Sequence, residues 1–227
     1  MTEQNGVKSS ESKDFSFDTI TSFDDHIAKS IPQYELMIES VVRMSDYFKD
    51  EKKVVYDVGT STGKLLKYFK RANNYQGKLV GIDNCSNLLP NSDEGITFIN
   101  HDLTTPFKFN NACIVYSLYT MQFLPKESRQ SLIQSIYDGL CEGGALFISE
   151  KVYCDESIFQ DIFTSTYYDY KKQSFTEKEI FDKERSLRTM LKPNTVEHNL
   201  EMLRKAGFWK IQQFYRYFNF VGYVCVK

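Results

Sequence analysis

The sequence predicts an α/β fold of the Rossmann-like kind, in which helices cover both faces of a mostly parallel sheet. Three observations predict it. Segments rich in β-branched residues alternate with amphipathic helical segments through residues 54–149. A glycine-rich turn from Gly59 to Gly63 follows the first of these strands, and an acid, Asp83, ends the next one. Two apolar segments at the end of the sequence predict a closing antiparallel hairpin.

Composition favours one domain that acts on a small molecule. The sequence has 227 residues, of which 41% are hydrophobic and 26% charged, and this suits a single core better than two. A formal net charge of −2 gives no general attraction to a polyanion, so we expect no direct contact with nucleic acid. The first residues lack the basic and apolar regions of a signal peptide, and no apolar run reaches the roughly 18 residues of a membrane span. We therefore expect a cytoplasmic protein with no membrane contact.

The cysteines predict reduced thiols and no metal site. They are widely spaced, form no C-x-x-C pair and have no histidine cluster beside them. These cysteines are Cys85, Cys113, Cys141, Cys154 and Cys225.

The amino-terminal part of the sequence predicts a tail, a covering segment and a helix. Residues 1–14 are polar and predict a disordered tail, which leaves residues 15–227 as a single domain. Residues 15–31 carry enough apolar side chains to lie across that domain, and His26 within them is expected to be structural. Pro32 then opens a helix from Gln33 to Phe48, whose apolar residues recur at three and four positions.

The remaining elements follow in order. Strands are predicted at residues 54–58, 79–83, 96–100, 112–118 and 145–149, with helices at 64–70 and 125–140. Gly143 and Gly144 are expected to end the second of these helices. Residues 153–191 interrupt the alternation with two or three helical segments, and we expect this insertion to lie over a bound cofactor. A helix capped by Asn194 or Thr195 and stopped by Gly207 precedes the last two strands, at 208–217 and 218–226.

The turn after the first strand predicts a nucleotide site. Gly59 and Gly63 allow a tight turn, and the free N–H groups of the following helix face the pocket. Asp83 lies 26 positions after Asp57, close to where doubly wound folds place a ribose-binding carboxylate. Either acid could instead cap a helix or a turn. The spacing D-x-G-x-S-x-G, with Ser61 in the middle, resembles motif I of the class I methyltransferases. In that family the loop holds the amino-acid end of S-adenosylmethionine (SAM), and the fold has seven strands.

A closer resemblance rests on short segments spread along the chain. They are Phe23-Asp24-Asp25-His26-Ile27, Ser30-Ile31-Pro32-x-Tyr34, Tyr56-Asp57-x-Gly59-x-Ser61-x-Gly63, Ile82-Asp83-Asn84, Gln122-Phe123-Leu124, Gly143-Gly144-Ala145-Leu146, Ser149-Glu150-Lys151 and Phe218-Asn219-Phe220. Together they resemble the carboxy-S-adenosyl-L-methionine (carboxy-SAM) synthase family over almost the whole sequence after the tail.

This resemblance implies an unusual reaction. Enzymes of the family attach the carbon dioxide lost by prephenate to the methyl group of SAM, and they release carboxy-SAM, phenylpyruvate and water. A sulfonium-stabilised carbanion is implied as the species that captures the carbon dioxide. The product serves a partner enzyme that modifies the wobble uridine of certain tRNAs. The resemblance also implies a homodimer, with SAM or carboxy-SAM as the bound cofactor and no metal.

The site residues are carried over by motif. The SAM-binding residues implied are Tyr34, Asp57, Gly59, Thr60, Ser61, Gly63, Asp83, Asn84, Asp102, Leu103 and Leu118. The carboxylate acquired by SAM needs a fixed cation, and an arginine fork matches its two oxygens. Arg185 in Lys183-Glu184-Arg185-Ser186 matches the family's arginine with one residue inserted, and Arg188 is the second candidate. Taken without the resemblance, either arginine is an ordinary surface charge.

Two other functions stay open. Leu118 stands where the family has an asparagine, and leucine cannot supply the amide hydrogen bonds. An ordinary SAM-dependent methyltransferase for an unidentified small acceptor is therefore the alternative, with Tyr167, Tyr168 and Tyr170 shaping its pocket. A non-catalytic SAM-fold module that binds a partner is the third hypothesis, since one scaffold hosts many functions.

Overall fold

The computed structural model of the protein describes residues 23–91 and 95–227, so the tail predicted at residues 1–14 lies outside the described residues. The helices of the described residues are α1 Phe23–Ser30, α2 Tyr34–Ser45, α3 Lys64–Ala72, α4 Lys126–Gly139, α5 Ser157–Lys171, α6 Glu177–Leu187 and α7 Val196–Ala206. A 3-10 turn spans Met121–Phe123. The strands are β1 Val54–Val58, β2 Lys78–Asp83, β3 Ile96–Asn100, β4 Ala112–Leu118, β5 Leu140–Tyr153, β6 Asn194–Thr195, β7 Lys210–Tyr217 and β8 Phe220–Val226.

The strands of this part of the chain form one mixed sheet in the order β3-β2-β1-β4-β5-β8-β7. Strands β1 to β5 are paired in parallel, whereas β8 is antiparallel to both β5 and β7. The two-residue β6 pairs with β5 off this path. The predicted Rossmann-like, seven-stranded fold with its antiparallel hairpin is confirmed, and the short β6 is an addition that the sequence did not predict.

Two apolar layers cover the two faces of the sheet. On one face, Tyr56 and Val58 of β1 pack in a cluster with residues of α4 and α7. On the other face, Val55 of the same strand packs in a cluster with residues of α2 and α3. Successive side chains of a strand point to opposite faces, so a strand covered on both sides is apolar at nearly every position. This is why β1 carries an unbroken apolar run up to the acid, Asp57.

The end of α4 differs from the prediction. The helix stops at Gly139 and β5 begins at Leu140, so Gly143 and Gly144 do not end the helix. They lie instead where the pairing of β4 with β5 shifts register, and Gly143 has φ +72°. Glycine adopts this left-handed conformation readily because it has no Cβ. The two glycines therefore allow an irregularity at the start of a strand that is longer than predicted.

The insertion and the helix after it agree with the sequence. Residues 153–191 contain two helices, α5 and α6, and α6 begins with a capping box between Thr176 and Glu179. Helix α7 begins after Thr195, whose hydroxyl accepts a hydrogen bond from the N–H of His198, and it ends at Ala206, before Gly207 with φ +116°. Helix α2 is shorter than predicted, because it begins at Tyr34 and ends at Ser45.

Candidate functional site

A cavity of about 570 Å³ lies at the carboxyl ends of the parallel strands. The residues just after β1, at the end of β2 and at the end of β4 line it, together with residues of α1, α5 and α6. This edge of an open α/β sheet is where such folds bind ligands, and the volume is in the range of small-molecule sites. The helical insertion contributes walls of the cavity, and its place over a bound cofactor stays a prediction.

The loop after β1 is held by hydrogen bonds from its neighbours. The N–H groups of Gly59 and Thr60 both donate to the carbonyl of Ile82, at 2.8 and 3.0 Å. The backbone takes positive φ at Gly59 (+76°), Ser61 (+49°) and Gly63 (+74°). Glycine tolerates such angles, and at Ser61 the conformation is maintained by a hydrogen bond from its N–H to Asp83 Oδ2 at 2.9 Å. These hydrogen bonds hold the loop in one conformation.

Two carboxylates define an acidic end of the cavity. Asp57 is buried, and burial raises the pKa of its carboxyl to about 7, although the hydroxyl of Thr60 donates to it at 2.8 Å. Burial also raises the pKa of Asp83, against the opposing effect of N–H donors that include Ser61 and Cys85. Each acid would be stabilised in its ionised form by a positively charged ligand.

Helix α1 is joined to the same loop. The hydroxyl of Thr62 donates to both oxygens of Asp24, at 2.9 and 3.2 Å. The phenol of Tyr167 on α5 donates to the carbonyl of Ser30 at 2.7 Å, which attaches the insertion to the carboxyl end of α1. His26 lies between these two contacts in the chain and lines the cavity. Burial and the nearby lysines Lys183, Lys171 and Lys29 lower its pKa to about 4, so its ring is neutral at pH 7.

A buried polar network supports the floor of the cavity. The two oxygens of Glu150 accept the N–H groups of Met121 and Gln122, at 3.0 and 2.8 Å. The side chain of Gln122 in turn accepts the N–H of Lys151 at 2.7 Å. Arg129, which is 1% exposed, donates to the carbonyls of Leu124, Gln122 and Lys192. The network thus links the turn after β4 to β5 and to the segment after α6.

A second part of the cavity wall is basic, on the side of β5, which β4 separates from the strands of the two acids, and we call Lys151, Lys171 and Lys183 the lysine wall. They come from β5, α5 and α6 respectively and all line the cavity. The ammonium groups of Lys151 and Lys171 lie 4.8 and 5.5 Å from the centroid of the Tyr167 ring. Burial lowers the pKa of all three lysines, to about 8 for Lys151 and Lys183, and the charge of Lys171 lowers the pKa of the other two further. The cavity therefore has charges of opposite sign on two parts of its wall.

The structure brings most of the sequence-predicted site residues together. Those that line the cavity are Tyr34, Asp57, Gly59, Thr60, Ser61, Asp83, Asn84, Leu103 and Leu118. Gly63 is not part of the cavity wall, because it precedes α3 and caps that helix with its left-handed backbone. Asp102 is exposed outside the wall, where its carboxylate accepts the N–H of Thr104 at 2.9 Å.

The arginines predicted for the acquired carboxylate lie outside the cavity wall. Arg185 is exposed, and Arg188 is 74% exposed and paired with Glu184 at 3.5 Å. Lys183, two positions before Arg185 on α6, lines the cavity instead. Residues two apart on a helix face different directions, so only one of this pair can face the ligand. The role of Arg185 stays a prediction that its position does not support.

The sequence prediction gave no role to the lysine wall, Gln122 or Glu150. Lys151, Gln122 and Glu150 are present in motifs used for the resemblance, and these motifs were the available signal. Lys171 carried no signal in the sequence, because its place in the wall depends on how α5 packs.

Among residues 23–91 and 95–227, no helix is long and apolar enough to cross a bilayer. The same residues contain no group of three His, Cys, Asp or Glu side chains placed to hold a metal ion.

Comparison with solved structures is consistent with the fold. An O-methyltransferase family protein from Burkholderia thailandensis superposes with a TM-score of 0.59 at 11% identity, over 85% of this chain and 55% of that chain. Human N-acetylserotonin methyltransferase in complex with SAM gives a TM-score of 0.54 at 14% identity, over 87% of this chain and 60% of that one. At these identities the likeness concerns the fold alone.

Comparison with known sequences identifies the family. Residues 56–148 match a family model described as a methyltransferase domain. The carboxy-S-adenosyl-L-methionine synthase of Staphylococcus epidermidis is 36% identical over 215 residues, which cover 92% of this chain and 94% of that protein. The synthase of Methylococcus capsulatus is 35% identical over 227 residues, which cover 94% of each. The chain belongs to the carboxy-S-adenosyl-L-methionine synthase family, within the class I SAM-dependent methyltransferase superfamily.

Proposed function

We propose that the protein is a carboxy-SAM synthase, which converts SAM and prephenate to carboxy-SAM, phenylpyruvate and water. The observation that carries this proposal is the charge distribution of the cavity. Asp57 and Asp83 belong to β1 and β2, whereas Lys151 of the lysine wall belongs to β5, which β4 separates from them, and all three side chains line the cavity. A cationic sulfonium and an anionic co-substrate could therefore bind side by side, each beside charges of the opposite sign.

The residues of the acidic end fit SAM. Its amino and sulfonium groups are cationic and its ribose offers hydroxyls, which suit the carboxylates of Asp57 and Asp83 and the phenol of Tyr34. The residues proposed to hold it are those of the sequence prediction, with Gly63 contributing through the loop backbone and Asp102 as a position to be tested. When bound, SAM supplies a methyl group activated by the positive sulfur.

The protein's own residues bind and orient the co-substrate. Ammonium groups at the lysine wall match the carboxylates of prephenate, and the rings of Tyr167 and Phe220 beside Lys151 offer apolar contact to its ring. The sequence resemblance assigns the carboxylate of carboxy-SAM to Arg185. Because Lys183 lines the cavity and Arg185 is exposed, Lys183 is the alternative cation for that carboxylate.

The proposal includes the setting of the enzyme. Carboxy-SAM made in the cytoplasm would serve a separate enzyme that modifies the wobble uridine of tRNA, so this chain needs no nucleic-acid surface. We propose a homodimer, supported by the large apolar side chains that α5 exposes at Ile158, Phe159 and Ile162. Sedimentation analysis of the purified protein tests the dimer, and a monomer at micromolar concentration would exclude it.

Incubation of the purified protein with SAM and prephenate tests the activity. We expect phenylpyruvate, and a SAM derivative heavier by one carboxylate detected by mass spectrometry. Prephenate also decomposes without enzyme, so the control is the same mixture without SAM, in which no SAM derivative can form. If SAM binds and neither product exceeds that control, the proposal fails.

An ordinary SAM-dependent methyltransferase is the second candidate. The observation that favours it is Leu118, which lines the cavity where the family has an asparagine and which cannot donate hydrogen bonds to a ligand. Release of S-adenosylhomocysteine that depends on an added acceptor, without prephenate, would support this candidate.

A further inference from the structure

Two members of the lysine wall, Lys151 and Lys171, carry positive charge that no carboxylate of the described residues pairs with directly. The ammonium groups of Lys151 and Lys171 have no hydrogen-bond or ion-pair partner among residues 23–91 and 95–227, and they lie over aromatic rings. Lys171 is only 8% exposed. Removing an ammonium group from water costs several kcal/mol unless a counter-ion compensates it.

The carboxylate of Glu184 attracts the charges of the lysine wall, but it has other partners. Glu184 on α6 favours the charged form of Lys151 and of Lys171. However, Oε2 of Glu184 accepts the hydroxyl of Tyr168, and Oε1 pairs with Arg188 at 3.5 Å. An anion from solution would therefore supply the partner that Lys151 and Lys171 lack.

We propose that Lys151, Lys171 and Lys183 form the subsite for the carboxylates of the co-substrate, an organic dicarboxylate. This assignment rests on the proposed function, because it treats the basic end of the cavity as the place of the second substrate. Three lysines from three separate elements line one cavity of about 570 Å³, whereas one cation would be sufficient for a single carboxylate. The Tyr167 ring lies against two of the three ammonium groups and fixes their positions.

Three features make this cluster a binding site and not a structural one. Like charges that share a half-buried space repel one another, and the charge of Lys171 lowers the pKa of both Lys151 and Lys183. The cluster also opens into the cavity, and β4 separates its strand β5 from the strands of the acids that fit SAM. Each feature points to an anionic ligand that arrives from solution.

Equilibrium binding of prephenate in the presence of saturating S-adenosylhomocysteine tests the subsite, because this nucleoside has no methyl group to react. The variants are Lys151→Met, Lys171→Met and Lys183→Met, which keep side-chain length and remove the charge. Lys178→Met on α6 is the matched control, since the Lys178 side chain is 86% exposed. Arg185→Met tests whether the arginine predicted from the resemblance contributes to prephenate binding.

We expect each lysine-wall variant to raise the Kd for prephenate by about tenfold or more, as the loss of one charge-assisted hydrogen bond implies. The Kd for S-adenosylhomocysteine should change less than threefold, and Lys178→Met and Arg185→Met should bind prephenate like the wild type. The melting temperature without ligand should not fall in the three variants, because each removes one of three repelling charges. Phenylpyruvate, with one carboxylate, should bind more weakly than prephenate to the wild type.

The proposal is overturned if prephenate does not bind the wild type, if the lysine-wall variants bind it normally, or if only Arg185→Met weakens it. These results differ from failure of the proposed function. If prephenate binding depends on the lysines but no phenylpyruvate forms, the proposed synthase activity is wrong and the proposed subsite stands. If all three variants form product at the wild-type rate, the proposed activity stands and the proposed subsite is wrong.

Discussion

Asp83 at the end of β2 fixes the loop that follows β1, because its Oδ2 accepts the N–H of Ser61 at 2.9 Å. Its other oxygen accepts the N–H of Cys85 at 2.9 Å. One carboxylate therefore shapes the loop and also faces the cavity. A sequence pattern shows the acid and the glycines as separate signals, whereas the structure shows that they form one unit.

Asp83→Asn should weaken SAM binding. The amide can accept one of the two N–H groups but carries no charge, and charge-assisted hydrogen bonds contribute about 1.5–3 kcal/mol. We expect the Kd for SAM to rise at least tenfold in calorimetric titration. Asp102→Asn is the comparison, because Asp102 lies outside the cavity wall, and its Kd should stay within threefold of the wild type. Equal weakening by both substitutions would support the sequence prediction that Asp102 contacts SAM.

Gly59→Ala should lower the free energy of unfolding, because the added Cβ strains the loop after β1. Gly59 has φ +76°, and a Cβ there would lie 2.2 Å from Oγ1 of Thr120, which donates to the carbonyl of Val58 at 2.8 Å. Strain of this kind costs about 1–3 kcal/mol, and denaturant unfolding should show a loss of this size. Gly143→Ala is the control, since Gly143 has a similar φ of +72° but no atom within 4 Å of the added Cβ. If both variants lose the same free energy, the contact with Thr120 contributes nothing.

Asp57 should make stability depend on pH. Its folded-state pKa of about 7 lies above the ordinary value of 3.8, so the folded state binds the proton more tightly than the unfolded state. The contribution of Asp57 to the free energy of unfolding therefore falls as pH rises from about 4 to about 7, and the cost at pH 8 is a few kcal/mol. The charges and phenols around it are those of Asp83, Tyr34 and Tyr116.

Asp57→Asn isolates this effect from other titrating groups. Urea unfolding of the ligand-free protein should show the variant more stable than the wild type at pH 8, and the difference should shrink toward pH 4. Asparagine can still accept the hydroxyl of Thr60, so the local hydrogen bond is kept. A difference that is constant from pH 4 to pH 8 would mean that Asp57 titrates normally in the folded protein.

Arg129→Met should cost about 3–5 kcal/mol of stability, as expected when one member of a buried charged network is removed. The substitution leaves carbonyls of Leu124 and Lys192 without their donor, and it removes a positive charge that favours ionisation of Glu150. Arg204→Met is the surface control, because the Arg204 side chain is 45% exposed and its pair with Glu197 should contribute less than about 1 kcal/mol. Thermal and urea unfolding measure both, and similar losses would argue against a structural role for Arg129.

The sequence predicted the acidic end of the site better than the basic end. Asp57, Gly59, Ser61 and Asp83 occur within two strands and the turns that follow them, so local pattern was sufficient to place them. The lysine wall joins residues from β5, α5 and α6, and their meeting depends on packing that no local pattern records. The choice of Arg185 depended on a one-residue insertion in a helix, where such a change turns a side chain by about 100°. The start of β5 was missed because glycine pairs indicate both helix ends and strand irregularities.

Glu150 and Lys151 are neighbours on β5, and successive side chains of a strand point to opposite faces. Glu150 therefore lies in the buried network below the cavity, and Lys151 lines the cavity. Their positions are fixed by pairing with Val221 and Phe220 of β8. Adding a single residue between Ala145 and Ser149 would move Glu150 into the position of Lys151 and present an acid where a base now stands. The charge that β5 presents to the cavity is thus set by the number of residues along one strand, and a one-codon insertion there would reverse that charge while the acids after β1 and at the end of β2 are retained.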